Sequence, residues 1–132
     1  MPVRMSESDR IRGTKRVMIF IANVRTFGKI TCHYCEKQIV FSFPHVDHFV
    51  TRKNGCDAKD INNCIVACEV CNGKKSGKSV IEVFGIEKHN EITKFMNTRI
   101  FTPNDLVMAR KINKEFTQTK DVLTAVIKYC KG

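Results

Sequence analysis

The sequence predicts an α+β fold: a small strand-and-helix core fastened by a four-cysteine zinc knuckle, with helices before and after it. Two Cys-x-x-Cys pairs, strand-like residues between them, and amphipathic helical patterns outside them predict this fold. At 132 residues the chain is long enough for one domain of ordinary size. We therefore expect a single domain over 1–132, with an N-terminal arm and helix (1–29), a core (30–78) and a helical C-terminal extension (79–132).

An N-terminal helix is predicted over residues 14–27. Gly28 follows it, at a position where helices commonly end. Residues 1–13 are polar, show no period, and are expected to form an arm. The apolar residues of the helix recur at helical spacing: Val17, Phe20, Ile21, Val24 and Phe27. This spacing predicts a helix that packs its apolar face against the core.

Extended structure is predicted between the two cysteine pairs. Residues 38–43 have strand-like composition, and a second extended stretch is expected over 45–50. Residues 52–63 are rich in Lys, Asn, Asp and Gly and read as a loop. The apolar run 64–67 suits a return strand, and a helix is expected to open near Cys68.

The C-terminal third is predicted to be helical. Residues 87–98 place apolar side chains on one side, and residues 120–130 do the same. Between them, Thr102 supplies a capping hydroxyl, Pro103 suits the first helical position, and Asp105 is the acid at the third. That helix is expected to run to about Phe116.

The charge balance is strongly basic. Lys and Arg total 23 against 13 acidic residues, giving a net charge of +10. The basic residues run along the whole chain instead of forming a tail. Because Lys and Arg release condensed counterions from a phosphate backbone, this balance favours a polyanion, and nucleic acid in particular, as partner. A basic but unengaged surface is the alternative.

No membrane segment or secretion signal is expected. The longest apolar run near the N-terminus, residues 17–22, is far shorter than the roughly 20 residues of a membrane span. We therefore expect a soluble intracellular protein, located in the cytoplasm, the nucleoid or the nucleus. No membrane partner is expected. In such a reducing compartment, seven cysteines favour metal binding over disulfides.

The two cysteine pairs predict a structural zinc site. Each Cys-x-x-Cys turn can place two thiolates on one ion, and two pairs complete a closed tetrahedral shell. Such a shell has no open position, so this zinc would hold structure without doing chemistry. His33 is expected to point to solvent, and the remaining thiols, Cys56, Cys64 and Cys130, are expected to be buried or incidental. The predicted zinc ligands are Cys32, Cys35, Cys68 and Cys71.

Polar residues with catalytic chemistry lie in the same segment. Asp47 and His48 are adjacent in a predicted strand and would face opposite sides. The zinc would tie the helix that carries Asn72 back to this strand. An acid and an amide oxygen would then come within reach of one hard cation, with water and phosphate filling its other positions.

The pattern Cys32-x-x-Cys35, Asp47-His48, Asn63, Cys68-x-x-Cys71-Asn72-x-x-Lys75 resembles the HNH endonuclease family in its zinc-containing ββα-metal (His-Me finger) form. Its layout is similar to that of phage endonuclease VII. The resemblance covers residues 30–78. It implies a ββα-metal core and a hydrolase that cleaves DNA phosphodiester bonds.

The resemblance also implies roles for individual residues. His48 would be the general base that takes a proton from the attacking water, a task suited to a side chain type that exchanges protons near neutral pH. Asp47 and Asn72 would hold one catalytic Mg²⁺ or Mn²⁺. Asn63 would bridge the loop and orient His48. Products would carry 5′-phosphate and 3′-hydroxyl ends.

Basic residues near this segment are predicted to contact the DNA backbone. The set comprises Arg52, Lys53, Lys74, Lys75 and Lys78. His45 could touch phosphate or the cation, or could be structural, and the sequence leaves both open. A non-catalytic zinc-knuckle protein that binds nucleic acid is the alternative function, and a structural or regulatory partner protein is a third. A homodimer through the helices after residue 79 is possible.

Overall fold

The computed structural model describes residues 12–40, 43–51 and 60–132. Six helices and two strands in these residues confirm an α+β fold. No helix in the described part of the chain has the length and apolar character needed to cross a membrane. In chain order the elements are α1 (Gly13–Phe27), β1 (His45–His48), β2 (Cys64–Ala67), α2 (Glu69–Lys75), α3 (Val80–Phe84), α4 (Ile86–Thr98), α5 (Pro103–Glu115) and α6 (Thr119–Lys131).

Helix α1 is the central element of the fold. It packs against α5, α6 and strand β2. Its end is set by Gly28, which adopts a left-handed conformation (φ 81°) and donates its N–H to the Val24 carbonyl at 2.6 Å. The buried residues of α1 form the first core cluster together with β2, α5 and α6, and its members include Val17, Phe20, Ile21, Val24, Cys64, Val66, Ala109, Ile112, Val122 and Val126. The predicted core-facing role of this helix is confirmed.

Strands β1 and β2 pair antiparallel, and β2 is buried on both of its faces. Cys64 and Val66 join the first core cluster, whereas Ile65 and Ala67 join a second one. This alternation follows from the two-residue period of a strand, and it explains why β2 reads as a continuous apolar run. The second core cluster consists of Cys32, Tyr34, Phe49, Ile65, Ala67, Cys71, Val80 and Ile92. Strand β2 therefore separates two packed clusters.

Two predictions about extended structure are wrong in extent. Residues 38–40 form no strand in the described chain; an isolated bridge joins Thr31 to Gln38, and Val40 is exposed. Residues 41–42 lie outside the described part. Strand β1 also ends at His48 instead of residue 50, because the backbone of Val50 is bound by a side chain, that of Asn63.

Helices α4, α5 and α6 begin within one residue of the predicted positions. One further helix, α3, was not predicted. Helix α5 starts at Pro103, and the Thr102 hydroxyl and the Asp105 carboxylate form the predicted reciprocal cap. The segment before α4 holds the short helix α3, which the sequence analysis did not resolve. Ser79 and Glu82 cap α3 in the same way, and Gly85 (φ 92°) breaks the chain between α3 and α4.

Asp105 ties three helices together. Its carboxylate accepts two hydrogen bonds from the Arg25 guanidinium of α1, at 2.6 and 2.8 Å, and one from the Tyr129 hydroxyl of α6, at 2.9 Å. It is 1% exposed. The Arg25 guanidinium, helped by the Thr102 amide and the Tyr129 hydroxyl, holds the pKa of Asp105 well below its usual range.

Replacing Asp105 by Asn is expected to lower the free energy of unfolding at neutral pH by about 2 kcal/mol, because hydrogen bonds to charged partners are lost. A carboxylate with a lowered folded-state pKa stabilises the fold above its unfolded pKa, and this contribution is lost as the pH falls. The difference between wild type and variant should therefore shrink below about pH 4. Urea unfolding at pH 7 and pH 3 measures it, and an equal difference at both pH values would contradict the assignment.

Candidate metal centre and active site

Four cysteine side chains converge at one end of the second core cluster. All four Sγ atoms lie within 4.8 Å of one another, and those of Cys35 and Cys68 are 3.9 Å apart. A tetrahedral ion with zinc–sulfur distances of about 2.3 Å separates its sulfurs by about 3.8 Å, so this spacing fits one ion. Cys32 and Cys71 are buried, whereas Cys35 is exposed. The cysteine quartet (Cys32, Cys35, Cys68 and Cys71) could therefore hold one metal ion.

Local backbone structure presents each pair of thiols. In the first pair, the Cys32 N–H bonds the Lys37 carbonyl at 3.0 Å and the Cys32 carbonyl accepts from Glu36 at 2.9 Å. Glu36 takes a left-handed conformation (φ 61°), which closes this tight turn. In the second pair, Cys68 caps helix α2, and its Sγ accepts from the Cys71 N–H at 3.4 Å.

The expectation that His33 points to solvent is wrong. His33 is buried, with its ring 5.0 Å from that of Phe27 and 4.3 Å from that of Phe95. Burial lowers the pKa of His33 to about 4, with smaller contributions from Arg99 and Lys88. Phe27, at the end of α1 and close in sequence, and Phe95, on α4 and far away in sequence, both contact this ring.

The remaining thiols do not join the quartet. Cys64 is buried on β2, and Cys130 is half-buried on α6, where its Sγ lies 3.5 Å from the Ile21 carbonyl oxygen. Both fit the expectation of incidental thiols. Cys56 lies outside the described residues.

Asp47 is held by two donors. The Tyr34 hydroxyl donates a hydrogen bond to its Oδ2 atom, and the Lys75 ammonium lies 3.0 Å from the same oxygen. The strand register pairs Asp47 with Ile65, so its side chain lies on the face of the second core cluster. A buried carboxylate in this setting is stabilised by a compensating cation and a neutral donor.

The structure corrects the placement of Lys75. Lys75 was predicted to contact the DNA backbone, but its side chain is only 3% exposed. Its ammonium also donates to the His48 carbonyl at 2.5 Å. The physical reason is helical spacing: Lys75 follows Cys71 by one turn of α2 and therefore shares its inward face.

His48 is half-buried at the end of β1 and is paired with Cys64 in the register. Adjacent strand residues project to opposite faces, so His48 and Asp47 leave the strand on different sides, as expected. Lys75 nevertheless links the two residues, because its ammonium contacts the Asp47 carboxylate and the His48 carbonyl.

The Asn63 side chain binds the backbone of Val50, the second residue after β1. Its side-chain oxygen accepts from the Val50 N–H at 2.8 Å, and its side-chain nitrogen donates to the Val50 carbonyl at 2.9 Å. Its own carbonyl accepts from the Phe49 N–H at 2.8 Å. Three hydrogen bonds thus fix the two residues that follow His48.

A basic residue outside the predicted set binds the backbone around Asn63. Arg99, which follows α4, donates to the Cys64 carbonyl at 2.6 Å and to the Ile61 carbonyl at 3.1 Å. Burial lowers the pKa of Arg99 to about 10, so it remains charged at neutral pH. Ile61–Asn63 is the short 3-10 turn between these carbonyls. Nothing local in the sequence singles out this arginine.

The other predicted site residues in the described part of the chain lie at or near the surface. Asn72 is half-buried on α2 and, among the described residues, none forms a hydrogen bond with its side chain. Lys74 and Lys78 are exposed. Arg52 and Lys53 lie outside the described residues. His45 is half-buried and paired with Ala67, with its role still open.

Comparison with known proteins gives one finding. Residues 32–78 match the family model described as HNH endonuclease, which confirms the resemblance drawn from the sequence. The match covers about a third of the chain and spans the cysteine quartet together with Asp47, His48, Asn63 and Asn72. Neither the curated proteins nor the solved structures give a match. This segment therefore indicates a nuclease or a related function on nucleic acid.

Proposed function

We propose that the protein is a metal-dependent HNH endonuclease that hydrolyses DNA phosphodiester bonds. The observation that carries the proposal is the family match over residues 32–78, because it contains every residue to which we assign chemistry. The order of β1, β2 and α2, with the cysteine quartet at one end, is compatible with a ββα-metal core.

The cysteine quartet would bind a structural Zn²⁺. Four thiolates satisfy a tetrahedral ion completely, so no position is left for substrate. The ligands join the turn before β1 to the start of α2. In a protein of this size the binding free energy of such an ion is largely folding free energy.

Asp47 and Asn72 would hold one catalytic Mg²⁺ or Mn²⁺. In the described part of the chain, Oδ1 of Asp47 accepts no hydrogen bond, and the Asn72 amide is similarly uncommitted. Carboxylate and amide oxygens are the ligands that hard cations prefer, and water and substrate would supply the rest. The bound cation would stabilise charge on the scissile phosphate and on the departing 3′ oxygen.

His48 would act as the general base. It would take a proton from the water that attacks phosphorus, which leaves 5′-phosphate and 3′-hydroxyl ends. Asn63 fixes the backbone of Phe49 and Val50, directly after His48, and would thereby orient the imidazole. Asn63 is in this sense a positioning residue.

The substrate would be held through its backbone. The net charge of +10 supports a polyanion, and Lys74 and Lys78 are exposed on and after α2. Arg52 and Lys53 follow β1 in sequence and would extend the contact. Lysines that touch phosphate position the DNA without reading its sequence.

The test is cleavage of supercoiled plasmid by the purified protein in Mg²⁺, in Mn²⁺ or in EDTA. We expect nicking only with a divalent cation, and we expect Asn72→Ala to need a higher Mn²⁺ concentration. Asn97→Ala, which removes an exposed helical asparagine from α4, is the matched control and should cut like wild type. DNA binding without cleavage under every metal condition would replace the proposal with a non-catalytic zinc-knuckle protein that binds nucleic acid.

A further inference from the structure

Two donors meet on a single oxygen of the Asp47 carboxylate. The Tyr34 hydroxyl and the Lys75 ammonium both contact Oδ2, the ammonium at 3.0 Å. The side chains of Lys75 and Asp47 are 3% and 11% exposed. Among the described residues, Oδ1 receives no donor. The two oxygens of this carboxylate therefore have different environments.

Both donors are anchored at the cysteine quartet. Tyr34 lies between Cys32 and Cys35, and its ring stacks on Phe84 with centroids 4.3 Å apart and an interplanar angle of 6°. Lys75 lies one helical turn after Cys71. Each donor is fixed close to a cysteine of the quartet. The position of the Asp47 carboxylate relative to the quartet is therefore fixed as well.

Lys75 also links Asp47 to its neighbour. The same ammonium donates to the His48 carbonyl at 2.5 Å. The buried Lys75 ammonium thus fixes the side chain of Asp47, which would bind the catalytic ion, and the backbone of His48, which would be the base. An ordinary surface ion pair would fix neither, because exposed pairs exchange with water and contribute little.

We propose that Tyr34 and Lys75 are positioning residues, which hold Oδ2 of Asp47 so that Oδ1 alone is presented to the catalytic cation. This inference rests on the proposed function. Hydrogen-bond partners of a metal ligand fix the orientation of that ligand. Their loss weakens metal binding even though they do not contact the ion.

Tyr34→Phe is the decisive variant, because it removes one oxygen atom and keeps the ring that stacks on Phe84. We expect Mn²⁺ to bind the zinc-loaded full chain about 10-fold more weakly, as is common when a partner of a metal ligand is lost. Titration calorimetry measures the affinity, and plasmid nicking against Mn²⁺ concentration should shift in parallel.

Tyr129→Phe is the matched control. Tyr129 is the chain's second tyrosine, and its hydroxyl also donates to an aspartate, Asp105, at 2.9 Å. The two variants lose the same kind of hydrogen bond in different places. Tyr129→Phe should lower the melting temperature and leave the Mn²⁺ affinity unchanged.

A double-mutant cycle with Asp47→Asn shows whether Tyr34 acts through Asp47. Cleavage at a fixed Mn²⁺ concentration below saturation should fall in each single variant, and adding Tyr34→Phe to Asp47→Asn should cause little further loss. Additive losses, or a Tyr34→Phe protein that melts earlier but binds Mn²⁺ like wild type, would reduce Tyr34 to a structural role and overturn the inference. Failure of the wild type to bind Mn²⁺ or to cut would instead remove the proposed function, and this inference with it.

Discussion

Replacing Cys71 by Ser is expected to abolish tight zinc binding and to unfold the core around residues 32–78. Cys71 is 4% exposed and belongs, with Cys32, to the second core cluster. Structural zinc sites contribute about 10–16 kcal/mol of apparent binding free energy, which is as large as the whole stability of a typical domain. We expect this cluster to lose its packing when no ion can join the two cysteine pairs.

The unfolding should be local at first. The first core cluster joins α1, α5 and α6 and contains none of the four ligand cysteines. We therefore expect part of the helical circular dichroism to survive in Cys71→Ser, while amides of β1 and α2 lose their protection from hydrogen exchange. Metal analysis, circular dichroism and hydrogen exchange provide the three measurements.

Cys130→Ser is the control for this experiment. Cys130 is a half-buried thiol on α6, outside the quartet. It should retain one zinc per chain and keep the protection of β1 and α2. A Cys71→Ser protein that lacks zinc yet keeps wild-type protection would mean that the ion is not a structural element of this fold.

His48→Ala is expected to reduce the rate of DNA cleavage by a factor of about 10²–10⁴, the usual contribution of a positioned general base. The Lys75 hydrogen bond is kept in this variant, since it goes to the backbone carbonyl of residue 48. The fold and DNA affinity should therefore be close to wild type. Single-turnover cleavage at saturating Mg²⁺ and fluorescence anisotropy with a short duplex separate the two quantities.

His89→Ala offers a histidine control on α4. His89 is half-buried with its ring 4.9 Å from that of Phe49, and no role in the chemistry is assigned to it. Its variant should cut at nearly the wild-type rate. If His48→Ala also cut at that rate with unchanged metal dependence, another group would have to activate the water.

Short-range patterns predicted much of the fold. The bounds of β2 follow from four consecutive apolar residues, and the start of α5 follows from Thr102, Pro103 and Asp105. The spacing of the cysteine pairs similarly anticipated a quartet within 4.8 Å. Each of these signals operates within a few residues, or through ligand chemistry that allows few alternatives.

Lys75 and Tyr34 show what the sequence left open. A lysine in a basic chain is normally solvated, so charge alone placed Lys75 on the surface. Its burial depends on a carboxylate from another element, because a buried ammonium needs a partner at hydrogen-bond distance. The burial of His33 and the role of Arg99 were not predicted for the same reason, since Phe95 contacts His33 from α4 and Arg99 binds carbonyls more than 30 residues earlier in the chain.

By itself the sequence determined the fold class, the cysteine quartet, and the segment that carries Asp47, His48, Asn63 and Asn72. Only the tertiary structure decided how Asp47 is held, and that Cys64 and Val66 of β2 share a core cluster with α1, α5 and α6. Ligand types and helix caps are encoded locally along the chain. The partner of a buried charge is instead chosen by packing, which brings together residues that no local pattern relates.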